Sequence, residues 1–152
     1  MTWRLADTEQ SIADRFAEQA RLHPSKPALA GTSWEPTFAE LDAAADHLAR
    51  TVLAQCGAGA RVALLLRHDG ALFAAALGAL RAGATVVALN WTDPPARLER
   101  IRAEVDPDIV LSDEAHAALA RRAGFGPAEI VTVAEQPDHT AGAAPDVDVD
   151  PD

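Results

Sequence analysis

The chain has 152 residues, 49 % of them hydrophobic and 24 % charged, which is ordinary for a soluble globular protein long enough to bury one core. The formal net charge of −10 has no basic patch to offset it, which argues against a nucleic-acid partner. The single cysteine, Cys56, excludes an internal disulfide and a thiolate metal cluster. Met1–Asp7 lacks the pattern of a signal peptide, and the longest apolar run, Ala71–Leu80, is too short to cross a bilayer. We therefore expect a cytoplasmic protein with no membrane partner.

The negative charge is concentrated near the end of the sequence. Residues 135–152 carry six Asp or Glu residues and no Lys or Arg, which leaves 13 basic and 17 acidic groups before them. A segment of this composition cannot bury enough apolar surface to offset the entropy of ordering it. We therefore predict a folded segment over residues 1–133, followed by an acidic Pro/Ala/Asp-rich linker or tail over 134–152 that a protease removes easily.

The first helical pattern begins at Ser11 and ends before Pro24. Its apolar face is formed by Ile12, Phe16 and Ala20. The stretches Ala28–Gly31 and Ser33–Glu35 predict a small hairpin around Thr32.

A capping box begins the second helix. Thr37 and Glu40 have the Thr-x-x-Glu spacing in which each side chain satisfies a free amide of the helix start. The helix is expected to end around Gly57. One stripe of this helix carries Leu41, Ala45, Leu48, Ala49 and Val52.

After Gly57 short apolar runs alternate with helical segments. The predicted strands are Arg61–Leu66, Thr85–Leu89, Ile109–Leu111 and Glu129–Val133, the first two adjacent and buried on both faces. The first predicted helix after Gly57 is Ala71–Ala82, which is closed by Gly83. The next starts at Asp93 and Pro94, has Leu98, Ile101 and Val105 inward, and stops at Pro107. The last is capped by Ser112 and runs through Arg122. This alternation predicts an α/β fold, a parallel sheet with right-handed crossovers and helices on both faces.

Two glycine patterns resemble nucleotide-binding loops but lack their chemistry. The segment from Gly78 to Thr85 has the glycine spacing of a phosphate loop, yet Ala84 occupies the lysine position and the segment runs from helix to strand. Gly57-Ala58-Gly59 lacks the third glycine and the strand-to-helix context of a dinucleotide fingerprint. Both patterns are interpreted as helix-to-strand connections.

Three polar residues follow the first buried strand at the end where open parallel sheets bind ligands. These residues, Arg67, His68 and Asp69, are either ligand contacts or a solvated loop, and the solvated loop is favoured. Trp91 is interpreted as a hydrophobic plug, with a ligand wall as the alternative. The five histidines show no metal-ligand spacing, and no nucleophile elbow is present.

Two further stretches of sequence are Trp34–Asp42, and Leu80–Asn90 with the helix Pro94–Ile101 after it. They resemble the first and the second core motif of adenylate-forming enzymes, a family that includes acyl-CoA synthetases and the adenylation domains of nonribosomal peptide synthetases. The resemblance covers about residues 11–115 and extends loosely to 133. Its departures are Phe38 in place of a frequent Tyr, Ala88 in place of a common Pro, and Asn90, which is nearer to the acyl-CoA synthetase branch than to the peptide synthetase branch.

The resemblance implies the partial N-terminal subdomain of an AMP-forming acid–thiol ligase. In this family the Ser/Thr/Gly-rich loop with its phosphate-binding Lys, the adenine-binding residues, the acid that serves Mg²⁺ and the catalytic Lys all come later. Lys26, the only lysine here, cannot replace them. No residue is therefore assigned as catalytic, cofactor-binding or metal-binding, and the chain is expected to be inactive alone, with ATP and Mg²⁺ required only by a complete enzyme.

The partner implied by this resemblance is the downstream remainder of the enzyme, with self-association as the alternative and a carrier protein as a further candidate. The rival interpretations are a non-catalytic α/β module that docks to a carrier protein or synthetase, and an independent nucleotide-binding domain, which the missing fingerprint argues against.

Overall fold

Four parallel strands form the central sheet in a computed structural model that describes residues 11–137. The strands are β1 (Arg61–Leu65), β2 (Thr85–Ala88), β3 (Ile109–Ser112) and β4 (Ile130–Thr132). Their order is β2-β1-β3-β4, and every neighbouring pair is parallel. The predicted α/β class and the adjacency of the first two strands are confirmed. The chain runs outward from β1 to β2 and then returns across β1 to β3, so the strand order reverses at β1.

Within residues 11–137, five α-helices connect and cover these strands. They are α1 (Ile12–Leu22), α2 (Phe38–Cys56), α3 (Gly70–Arg81), α4 (Pro95–Val105) and α5 (Ala117–Arg122), with 3₁₀ turns at Glu114–His116 and Pro127–Glu129. The predicted capping box is present at the start of α2. The Thr37 amide donates to the Glu40 carboxylate at 3.1 Å, and the Glu40 amide donates to the Thr37 hydroxyl at 3.2 Å. None of the described helices combines the length and the apolarity that a membrane span requires.

The side chains of β1 alternate between two cores, one on each face of the sheet. Val62 and Leu64 point into a core shared with α2 and α3. Ala63 and Leu65 point into a core shared with α4 and α5. The prediction of helices on both faces is therefore confirmed, and β1 is buried on both faces because it is central.

Helices α2 and α3 pack closely because small residues line their contact. A Cβ placed on Gly78 would lie 2.8 Å from Leu48 Cβ and 2.9 Å from the Ala45 carbonyl oxygen. At one end of this contact Arg81 pairs with the carboxylates of Asp46 and, at 2.8 Å, Asp42. The Arg81 and Asp46 side chains are largely buried, so each provides the counter-charge that the other requires.

Helix α1 and the segment between α1 and α2 differ from expectation. Ile12, expected on the apolar face of α1, is 69 % exposed, whereas Ala13 and Ala20 are buried. The predicted hairpin is wrong, because residues 28–35 form no strand. The chain there reverses direction through a single antiparallel bridge between Pro27 and Thr37.

The burial of β2 and two helix caps later in the chain also differ from the sequence-based predictions. β2 is half-exposed instead of buried, because it lies at the edge of the sheet. Ser112 does not cap a helix, since it is the last residue of β3, and Asp113 caps the 3₁₀ turn in its place. Pro94, not Asp93, is the cap residue of α4. Of the predicted linker 134–152, residues 138–152 lie outside the described part of the chain.

Candidate functional site

A cleft of about 260 Å³ opens at the carboxyl edge of the sheet, beyond β1, β3 and β4. Its lining residues are Arg67, Asp69, Ala71, Asp113, Glu114, Ala115, Thr132, Val133, Ala134 and Glu135. The cleft lies beside the point where the strand order reverses, which is where open parallel sheets bind their ligands.

Asp113 holds the two central walls of the cleft together. It follows β3 directly, and one carboxylate oxygen accepts the backbone amide of Arg67, at the end of β1, at 2.9 Å. The other oxygen accepts the His116 amide at 2.9 Å and lies 2.6 Å from His116 Nδ1. Because both oxygens are engaged and the side chain is only 13 % exposed, Asp113 is a rigid positioning residue.

The mouth of the cleft is bridged by an exposed ion pair. Arg67 Nη2 lies 3.2 Å from Glu135 Oε1, and these side chains are 51 % and 74 % exposed. Exposed pairs of this kind contribute less than about 1 kcal/mol. The Arg67 guanidinium can therefore exchange Glu135 for another carboxylate at little cost.

Asp69 closes the side of the cleft at the N-terminus of α3. Its Oδ1 accepts the amides of Ser33 and Gly70, both at 2.8 Å. The hydrogen bond from the Ser33 side chain lowers the pKa of the Asp69 carboxyl, and the two backbone amides act in the same direction. Asp69 therefore stays ionised and ties the loop before α2 to the start of α3.

Trp91 does not fill the interior as a plug. It is 37 % exposed, and its ring packs against the imidazole of His116 with centroids 5.2 Å apart. The plug prediction is therefore wrong, because Trp91 follows the edge strand β2 and has no further strand beside it in the described part of the chain.

The charge of the cleft does not suit a nucleotide polyphosphate. Its wall carries the carboxylates of Asp69, Asp113, Glu114 and Glu135 against the single guanidinium of Arg67. Phosphoryl groups are held by cations and amide donors, so these residues do not fit ATP. Over residues 11–137 no group of three His, Cys, Asp or Glu side chains is arranged to hold a metal ion. No catalytic step is assigned to the cleft.

The polar residues singled out after the first strand divide into two kinds. Arg67 and Asp69 line the cleft, whereas His68 is exposed and lies outside its lining. Asp113 and Glu135 were missed. Asp113 also follows a parallel strand, so the rule that selected Arg67 could have selected it. Cys56 is half-buried, and burial raises the pKa of its thiol, as suits an inert side chain.

Comparisons with known proteins give the family. A family described as "AMP-binding enzyme" matches residues 16–151. Surfactin synthase subunit 1 from Bacillus subtilis (strain 168) is 35 % identical over 111 residues, which is 70 % of this chain and 3 % of that protein. Nonribosomal peptide synthetase 7 from Gibberella zeae is 36 % identical over 115 residues, 74 % of this chain and 3 % of that protein.

A solved structure shows the same fold. A benzoate CoA ligase from Burkholderia xenovorans LB400 aligns with a TM-score of 0.72 at 22 % identity, over 84 % of this chain and 26 % of that chain. The present chain thus spans only a small part of the proteins that it matches. With the family match over residues 16–151 and the parallel sheet in place, the chain belongs to the AMP-binding enzyme family and corresponds to its N-terminal part.

Proposed function

We propose that this chain is the N-terminal portion of an AMP-forming ligase that activates a carboxylic acid, as an acyl or aminoacyl adenylate, before thioester formation. The observation that carries the proposal is the family match over residues 16–151 on a fold that covers only about a quarter of a CoA ligase. The acidic cleft supports this proposal, because the polyphosphate of ATP must then be bound by residues of the enzyme that lie outside this segment.

The thiol acceptor is a carrier protein in this proposal. The two relatives named above are peptide synthetases, and another structural neighbour is described as an artificially fused adenylation–PCP di-domain from Klebsiella oxytoca. Asn90 argues in the other direction, since that residue type is nearer to the acyl-CoA synthetases. The sequence identity to the peptide synthetases, 35–36 %, is the broader observation and decides our choice.

The test is complementation of a split ligase. The benzoate CoA ligase is divided after the quarter that aligns with this chain, and its remainder is produced separately. Benzoate-dependent ATP–pyrophosphate exchange is measured for the remainder alone, with its own N-terminal segment, and with the present chain. We expect no exchange from the present chain alone, and exchange above the level of the remainder when the two are mixed.

Two results would count against this function. Exchange by the purified chain alone, above a mock-purified control, would mean that it carries its own phosphate-binding groups. Restoration by the ligase's own segment but not by the present chain would mean that this segment has diverged to another role, such as docking.

A further inference from the structure

Helix α3 is apolar around its whole circumference. Every residue from Gly70 to Leu80 is glycine, alanine, leucine or phenylalanine, and the helix carries no charge before Arg81. Arg81 itself is turned inward, where it pairs with Asp42 and Asp46 of α2. A helix of a globular protein that is hydrophobic on all sides is normally buried on all sides. The composition of α3 therefore predicts that each side of the helix is covered.

Within residues 11–137, one side of α3 is left incompletely covered. Apart from Arg81, the buried residues of the helix are Gly70, Ala71, Ala74, Ala75, Gly78 and Ala79. On the opposite side Phe73 is 47 % exposed, and Ala76, Leu77 and Leu80 are half-buried. At about 3.6 residues per turn, these last four residues lie within about 100° of arc. They form one continuous apolar surface, which we call the outer stripe of α3.

The helix α4, on the other face of the sheet, is built differently. Its exposed side carries Glu99, Arg100 and Glu104, and its buried side is centred on Leu98. Polar and apolar residues are thus separated around α4, which is the pattern of a helix whose outer face meets water. The outer side of α3 carries no polar side chain, and this distinguishes it from a surface adapted to solvent.

The spacing of the outer stripe suits contact with another helix. Residues at i, i+3, i+4 and i+7 of one helix surround the space into which a facing helix inserts a side chain. Phe73, Ala76, Leu77 and Leu80 have this spacing. Ala76 is the small member of the set, so it gives the inserted side chain room between the three larger ones. The geometry therefore favours an apolar helix as the partner of this surface.

We propose that the outer stripe of α3 is the docking surface for an apolar helix from the remainder of the AMP-forming ligase. This inference rests on the proposed function and goes beyond it, since it names the surface and the kind of element that the surface binds. The chain covers 26 % of the benzoate CoA ligase, so most of a complete enzyme lies outside this segment and can provide the helix.

A second copy of the chain is a poorer occupant of the outer stripe. From Phe73 to Leu80 the helix rises only about 11 Å. Two such stripes in contact bury far less than the roughly 1,200 Å² of a stable dimer. Two copies would therefore associate only weakly through this surface. A helix that belongs to the same enzyme needs less area of its own, because the rest of its domain holds it in place.

The test compares two substitutions of an exposed apolar residue by glutamine. Phe73→Gln places a polar side chain in the outer stripe, and Leu22→Gln does the same on α1, where Leu22 is 56 % exposed. Glutamine favours helix and adds no charge, so both variants should keep the fold. Circular dichroism and the thermal midpoint check that they do. The affinity of each variant for the separately produced remainder of the benzoate CoA ligase is then measured by titration, with the ligase's own N-terminal segment as the positive control.

We expect Phe73→Gln to weaken binding about tenfold or more, because a large aromatic side chain at the centre of an interface is a typical hot spot, and Leu22→Gln to leave binding within about twofold. Oxidation by hydroxyl radicals gives a second readout that depends on no variant. In the wild-type complex it should slow at Phe73, Leu77 and Leu80, relative to the chain at a concentration where it is monomeric, and stay unchanged at Ile12 and Leu22.

Each alternative outcome overturns the proposal in a recognisable way. A complex in which Phe73 and Leu77 are oxidised as fast as in the monomeric chain, or one that both variants weaken equally, refutes the outer stripe while the proposed function stands. Protection of Phe73 in associated copies of the chain that the added remainder does not separate assigns the stripe to a second copy. No complex, when the ligase's own segment does bind, refutes the outer stripe and the proposed function together.

Discussion

Single residues decide how closely the first two long helices can pack. Gly78 lies in the middle of α3, where glycine is unfavourable for a helix, yet any side chain there would meet Leu48 and the Ala45 carbonyl of α2 below 3 Å. The backbone of α2 cannot give way without disturbing Ala44 and Ala49, which are fully buried. The glycine therefore permits the close approach of the two helices at the expense of local helix propensity.

We expect Gly78→Ala to lower the free energy of unfolding by about 1–3 kcal/mol, because an overpacked contact outweighs the gain in helix propensity. Chemical denaturation with a fit for the midpoint measures the change. Gly126→Ala is the matched control, since its new Cβ would meet nothing closer than 3.9 Å and should change stability by less than about 0.5 kcal/mol. Equal stability of both variants would show that α2 and α3 can separate freely.

Asp69 makes stability depend on pH. Its folded-state pKa is lowered, first by the Ser33 side chain, so folding favours the ionised carboxylate. The resulting stabilisation is fully present above the unfolded pKa, near 4, and is lost as the pH falls through the folded pKa. We expect Asp69→Asn to shift the urea midpoint down at pH 7 and to shift it less at pH 3. A difference between wild type and variant that grows toward low pH would contradict this sign.

At the scale of elements, the central and edge strands respond differently to the same substitution. Leu65 is fully buried in β1, whereas Val87 is half-exposed on β2. A buried carboxylate without a partner is among the most expensive substitutions, so Leu65→Asp should cost more than about 4 kcal/mol. Val87→Asp should cost only about 1–2 kcal/mol, because its carboxylate can reach water. The sequence had predicted that both strands are buried on both faces. Chemical denaturation of the two variants measures these losses of stability. Equal losses at Leu65 and Val87 would mean that β2 is covered in the same way as β1.

The contrast between β1 and β2 illustrates what could be predicted from the sequence. Both strands were located from their apolar runs, and the start of α2 from Thr37 and Glu40, because these signals are local. The strand order is set by packing between distant segments, and no local pattern distinguishes the central run Arg61–Leu65 from the edge run Thr85–Ala88. The exposure of Val86 and Val87 therefore could not be derived before the sheet was known.

The candidate site also contains residues that could be predicted from local sequence and residues that could not. Arg67 and Asp69 were selected because they follow a parallel strand, which is a topological rule that needs only the strand's position. Glu135 could not be selected, since it reaches the cleft through a contact with Arg67 that lies 68 residues away along the chain. The family resemblance was carried by Trp34–Asp42, Leu80–Asn90 and the start of α4, and none of these residues lines the cleft.

At the scale of the whole molecule, apolar side chains remain on the surface. In the part of the chain that the structure describes, the large exposed hydrophobic residues are Ile12, Leu22, Phe73 and Trp91. Scattered single residues of this kind are ordinary, but Phe73 belongs to the alanine-rich helix α3, whose small side chains permit close packing with another helix. This part of the surface is where we expect association.

We expect the chain alone to associate reversibly, with an apparent mass from light scattering that rises with concentration, because this apolar surface is uncovered. Phe73→Ser should reduce the association and leave the thermal midpoint nearly unchanged. Leu22→Ser is the control, since Leu22 is 56 % exposed at the end of α1 and should not affect the mass. A wild-type chain that stays monomeric at every concentration would contradict the expected association. An equal effect of both variants would place the association elsewhere on the surface.

The central position of β1 has a consequence for the order in which the protein folds during synthesis. Both strands that pair with β1 are made after it, β2 some twenty residues later and β3 later still. When β1 leaves the ribosome, α1 and α2 are the described helices that have already been made, and the face formed by Ala63 and Leu65 stays bare until α4 and α5 follow. We expect α2, β1, α3 and β2 to form the first stable unit on the growing chain. Stalling translation before α4 would then leave one face of that unit open to chaperones.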